Sequence, residues 1–202
     1  MKRKTIKKQI KSKLYVANAT DGGWSRAPKP AVRPAVVEAV QGVLVKPQFK
    51  KLQKHITRIS ITKSIQKSGR VNTGAVVTDP VKKTKLFKII DHEWFPVDYY
   101  KSVAVHELAH IDWGVKQKWH NEAWARFNAA VNNLRPVNDY LERNEKKWRA
   151  DIRYTSNQYC NEMHSAAAEL HYEARNSGHT WQFPNDQVTL LRAYRELHGL
   201  AE

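Results

Sequence analysis

The stretch Val103-Ala-Val-His-Glu-Leu-Ala-His-Ile-Asp-Trp113 sets two histidines four residues apart, with a glutamate directly after the first. On an α-helix, positions i and i+4 stand one above the other on a single face. His106 and His110 can therefore each send an imidazole nitrogen to one Zn²⁺. Glu107 then reaches the open side of such a metal rather than the metal itself. From there its carboxylate can take a proton from a water and later deliver it to a leaving group. Val103, Ala104, Val105, Leu108 and Ala109 supply an apolar back on which the helix can be buried. The competing reading is an amphipathic helix whose histidines only border a core.

Working outward, the pattern predicts this helix over about 98–113, with Asp98 as N-cap and Gly114 as the C-terminal stop. Upstream, HITRISITKSIQ, RVNTGAVVT and KTKLFKIID alternate apolar and polar residues between a Ser68-Gly69 turn and an Asp79-Pro80 turn. They read as strands of an antiparallel meander over about 54–91. Further back, Pro34 opens a segment with Val36, Val37, Val40 and Leu44 in helical spacing, closed by Pro47, which reads as a helix or as extended chain. Downstream, WHNEAWARFNAAVNNL, NDYLERNEKKWRADI, SNQYCNEMHSAAAELHYEARNSG and NDQVTLLRAYRELHG predict a helical part over 119–199. Residues 1–33 read as a flexible basic arm and linker, ending in Gly22-Gly23 and Pro28-Lys29-Pro30, and residues 34–202 as one α+β domain.

Composition narrows the chemistry. The chain has 202 residues and one cysteine, Cys160, which excludes an intramolecular disulfide and a cysteine zinc ribbon. No run approaches the ~20 apolar residues of a membrane span, and the start MKRKTIKKQIKSKLYV lacks the apolar centre of a secretory signal, so a cytoplasmic protein is expected. Charge is uneven. Residues 1–90 hold 22 Lys and Arg against three acids (Asp21, Glu38, Asp79), and residues 91–202 hold 13 against 16. A net +19 in one half against −3 in the other is the footprint of a chain that docks on polyanions, nucleic acid first. The candidate contacts are Lys2, Arg3, Lys4, Lys7, Lys8, Lys11 and Lys13 in the arm, then Lys50, Lys51 and Lys54. The run continues through Lys46, Arg58, Lys63, Lys67 and Arg70. A solvated tail is the alternative for the arm.

A catalytic zinc needs a third protein ligand, and two residues compete for the role: His120, ten residues after His110, and Glu162 in NEMHSAAAEL. His164 and His171, seven apart on one helical face, are further possible donors. The motif resembles the SprT-like metalloproteases. In that family a HELAH-type helix and a short loop precede a third-ligand histidine, with an aromatic residue four positions on. The matching positions are His106, Glu107, His110, His120 and Trp124, and the resemblance covers roughly residues 84–135. It implies a zincin-like domain, a Zn²⁺ cofactor held by His106, His110 and His120, and a peptidase acting on proteins associated with DNA. The chain departs from the eukaryotic members in having no C-terminal cysteine ribbon, and its basic region precedes the motif. Glu162 looks like the downstream glutamate of gluzincins, although Ala166 stands where an Asp often follows. If Glu162 is not a ligand, it is placed to orient a ligand imidazole.

In zincins an edge strand beside the active-site helix commonly holds substrate in extended form, and residues 84–91 are the expected strand here. Of the aromatics around the motif, Trp94, Phe95, Tyr99, Tyr100, Trp113, Trp119 and Trp124, most are expected to be packing, with Trp113 or Trp119 able to cover the site or stack on bases. Two functions follow from different classes. One is a zinc endopeptidase recruited to nucleic acid in a largely sequence-tolerant way. The other is a nucleic-acid-binding or particle-assembly protein that keeps the fold with little or no catalysis.

Overall fold

Alternation along Lys85–Asp91 buries Phe87, Ile89 and Asp91 and leaves Lys88 exposed, the pattern of a strand with one face on a core. The structure, a computed structural model, describes residues 14–17, 31–63, 73–78, 85–116, 122–134, 156–172 and 187–200. They are α+β, with six α-helices and one four-stranded sheet. The chain divides into two compact units, Met1–Ile111 and Asp112–Glu202. None of the described helices is long and apolar enough to cross a membrane.

The first unit holds β1 (Leu14–Ala17), α1 (Pro34–Leu44), α2 (Pro47–Lys50) with a 3₁₀ turn at Lys51–His55, β2 (Ile56–Lys63), β3 (Gly74–Thr78) and β4 (Lys85–Asp91). It also holds most of α3 (Tyr99–Lys116), through which the division between units passes. The sheet order is β1-β2-β4-β3. β1 runs parallel to β2 and β2 parallel to β4, and only β3 is antiparallel, to β4. The expected antiparallel meander is therefore corrected. A meander would put β3 in the centre, but β3 has no fully buried side chain, whereas β4 alternates cleanly. The more apolar strand takes the middle and the weaker one the edge. β1 falls inside the segment read as a flexible arm, where Leu14-Tyr15-Val16 supplies enough strand character to pair with Ile59–Ile61.

Of the two readings of residues 34–47, the helix holds. Pro34 presets the first turn, and Val36, Ala39, Val40, Val43 and Leu44 are buried at helical spacing. An ion cluster ties the entry of α1 to the sheet. Asp91, fully buried, accepts hydrogen bonds from the Arg33 backbone N–H (2.9 Å), Nε (2.9 Å) and a terminal guanidinium nitrogen (2.7 Å), while Lys63 Nζ lies 3.7 Å away. Burial alone would push the Asp91 carboxyl up. The hydrogen bonds from Arg33 and the charges of Arg33 and Lys63 outweigh that and hold it below its ordinary value.

The start of α3 is fastened to the same sheet end. Tyr100 Oη accepts the His92 N–H at 2.7 Å and donates to the His92 carbonyl at 3.1 Å, and burial pushes this phenol up to about 12. Tyr99 Oη and Thr73 Oγ1 share a hydrogen bond of 2.8 Å, and Phe95 stacks on Tyr99 with ring centroids 4.3 Å apart. From Ser102 to Ala109 every residue of α3 is buried. Burial of that extent is worth about 2 kcal/mol for a side chain such as Leu108, and it fixes the helix against axial rotation. Asp98 stands just before the helix as expected, with its carboxylate engaged by Lys101 at 2.6 Å. Gly114 does not stop α3, which runs on to Lys116.

The second unit holds the end of α3 with α4 (Glu122–Leu134), α5 (Ser156–His171) and α6 (Gln187–His198), each of the last three packing on the other two. Met163 to Leu170 of α5 is buried without a break, and Ala166-Ala167-Ala168 lets its neighbours approach closely. Trp113 stacks edge-on to Trp124 at 4.5 Å and lies 6.1 Å from Phe127. Gly199, at φ +60°, closes α6, and the Leu200 N–H reaches back to the Arg195 carbonyl at 2.9 Å. The helix expected within NDYLERNEKKWRADI lies outside the described residues.

Candidate metal centre

The two histidines of the motif lie on α3 as the spacing requires, with ring centroids 4.6 Å apart and planes at 84°. His106 is buried and His110 half-buried, and each offers a ring nitrogen within 4.8 Å of one on the other. Imidazole pairs at i and i+4 suit borderline ions such as Zn²⁺, so the donors present fit that metal.

Glu107 is buried too, and what it packs against is informative. A Cβ placed on Gly74 would come 2.6 Å from Glu107 Oε1, 2.8 Å from its Cγ and 2.7 Å from Val103 Cγ1. The start of β3 thus approaches the carboxylate as closely as a backbone without a side chain allows. Among the described residues, no strand pairs with the outer edge of β3. The edge strand of the described sheet and a buried carboxylate therefore meet at Gly74. The expectation that residues 84–91 form this edge is corrected: β4 is flanked on both sides, and β3 holds the position. Gly74 is the residue that sequence reasoning missed. Its signal was a glycine inside a strand, which marks a close backbone approach. Gly74→Ala should leave the sheet folded but displace Glu107, because the buried Val103 blocks the other way out. If the chain is the zinc peptidase its motif suggests, cleavage should fall by roughly tenfold or more, while zinc content, read by elemental analysis, stays at the wild-type level.

The other expected site residues are dispersed. His120, Trp119, Lys67, Arg70 and the arm residues Lys2, Arg3, Lys4, Lys7, Lys8, Lys11 and Lys13 lie outside the described residues. Glu162 stands half-buried on α5 in the second unit. Lys46, Lys50, Lys51, Lys54 and Arg58 are exposed and follow one another through α2, the 3₁₀ turn and the start of β2. Lys63 leaves this basic run: its side chain is 3% exposed and pairs with Asp91 and, at 3.2 Å, with Glu93. Trp113 is likewise corrected as a stacking candidate because it is packed in the second unit. Among the described residues the exposed indole is Trp94, at 50%, stacked on His92. His171 is half-buried, receives a hydrogen bond from Arg195 Nε at 3.4 Å, and is lowered from its ordinary pKa by burial and then by the Arg195 charge.

No protein-family model matches the chain, and neither a curated protein nor a solved structure does.

Proposed function

We propose that the chain is a zinc-dependent endopeptidase acting on proteins associated with nucleic acid. The observation that carries this reading is the buried Glu107, set between two metal-competent histidines and against the glycine that opens the edge strand of the described sheet. A helix that only borders a core has no physical need for a carboxylate there. The resemblance of the motif to SprT-like metalloproteases supports the same reading.

Zinc bound by His106 and His110 would supply Lewis acidity, polarising a peptide carbonyl and lowering the pKa of an attacking water. Glu107 takes the proton from that water and carries it to the departing amine. The outer edge of β3 pairs with an extended substrate through main-chain groups, which reads backbone instead of side chains and suits unfolded protein. The third zinc donor is His120 or Glu162, and elemental analysis of two variants decides between them. Zinc lost in His120→Ala and kept in Glu162→Ala assigns His120, and the reverse assigns Glu162. Zinc kept at the wild-type level in both would contradict a three-ligand site built from either.

The exposed cluster Lys46, Lys50, Lys51, Lys54 and Arg58, together with the basic arm, serves as the nucleic-acid contact. It tracks phosphates, so recognition is tolerant of sequence. Each phosphate contact contributes roughly −0.9 to the slope of log affinity against log salt on duplex DNA. Replacing Lys50, Lys51 and Lys54 by alanine should therefore flatten that slope by about 2 to 3 without changing zinc content. An unchanged slope would remove this cluster from the interface. DNA binding without any cleavage would favour the second reading, a binding or assembly protein.

A further inference from the structure

The second unit contains a cluster that the peptidase reading does not use. Asp112, at the end of α3, His164 on α5 and His198 at the end of α6 offer ligand atoms that all lie within 4.8 Å of one another. The Nε2 atoms of the two imidazoles approach to 2.9 Å, and Asp112 Oδ2 lies 3.6 Å from His198 Nδ1. His164 and Asp112 are buried, and the His198 side chain is only 7% exposed. Aromatic rings enclose the cluster. Trp113, Trp124, Phe127 and Tyr194 have centroids 5.3, 5.9, 5.9 and 5.2 Å from the His164 ring, and Tyr194 lies 4.4 Å from His198.

We propose that Asp112, His164 and His198 form a second metal site, holding a divalent transition ion through two imidazoles and one carboxylate. Two nitrogens bound to one zinc at about 2.1 Å with a tetrahedral angle sit about 3.4 Å apart, so His164 and His198 need to open by only about half an ångström. Because His164 faces His198 Nε2 and Asp112 lies by Nδ1, ligation of one ion also needs the Asp112 carboxylate to swing toward the Nε2 side. Imidazole with carboxylate is a donor set for Zn²⁺, Co²⁺ or Ni²⁺. The enclosure favours a structural ion that clamps the ends of α3 and α6 onto α5, not one open to substrate. This site does not rest on the peptidase reading, and the two can fail separately.

The test uses the full chain with both motif histidines replaced, His106→Ala/His110→Ala, titrated with Co²⁺ and Zn²⁺ after chelation. The expected result is one tightly bound equivalent, with the cobalt form showing the visible absorption of a low-symmetry nitrogen and oxygen site. Adding His198→Ala should abolish it. Asp112→Asn, which keeps the side chain's shape should His198→Ala fail to fold, should weaken binding by roughly 10- to 100-fold. A double variant that binds no metal would overturn the proposal and leave the cluster as a hydrogen-bonded chain. So would an equivalent that survives both His198→Ala and Asp112→Asn. Wild-type protein whose single equivalent disappears with the motif histidines would keep the peptidase site and remove this one. A single equivalent that disappears only with His198 would do the opposite.

Discussion

Glu107→Gln should bind zinc and fold as the wild type does, yet lose peptide cleavage by roughly 10²- to 10⁴-fold. The amide has the carboxylate's size but cannot accept the water's proton, so the loss falls on turnover and not on metal retention. The space at Gly74 that admits the carboxylate admits the amide equally, so local packing gives no second cause. The readout is cleavage of a denatured protein by matched preparations of equal zinc content. Equal cleavage by the two proteins would remove Glu107 as the base and the enzymatic reading with it.

The largest effect on stability is expected at Asp91. Removing one partner of a buried ion pair costs about 3–5 kcal/mol, because the remaining charge is left without compensation. The Arg33 side chain is 29% exposed, which places Asp91→Asn near the lower end, about 3 kcal/mol. For a unit of this size that corresponds to roughly 10 °C or more in melting temperature. The pH dependence follows from the lowered pKa. The contribution is fully present above the unfolded-state value of about 3.9 and is lost as pH falls through the lower folded-state value. Wild type should therefore be more stable than Asp91→Asn at pH 7 and pH 5, with the gap closing below about pH 4. Thermal melts across that range check it, and a gap unchanged between pH 7 and pH 3 would contradict the assignment.

Local elements were legible wherever a single residue carries the cause. Asp98 precedes α3 at the position read for it, and Pro34 opens the helical one of the two conformations its segment allowed. Gly114 misled because a stop glycine must leave the helical conformation. Here Trp113, immediately before it, is held by Trp124, and α3 continues at the ordinary cost of a helical glycine, about 1 kcal/mol. Strand order was not legible. Alternation in Lys85–Asp91 identifies a strand, but its place between β2 and β3 depends on competition among strands for burial. Lys63 read as one more surface lysine because its partner Asp91 is 28 positions away, and the Arg33 that completes the cluster is 58 positions from Asp91. The motif helix was legible because spacing alone sets His106 and His110 on one face of α3. The contribution of Gly74 comes from a contact between β3 and α3 that spacing does not encode.

The most direct measurement is elemental analysis of the purified full chain beside the His106→Ala/His110→Ala variant, after both are dialysed against the same zinc buffer. The peptidase reading predicts that wild type retains one more zinc per chain than the variant. Equal zinc in the two proteins would contradict it, because nothing would then bind at the helix on which the proposed chemistry depends.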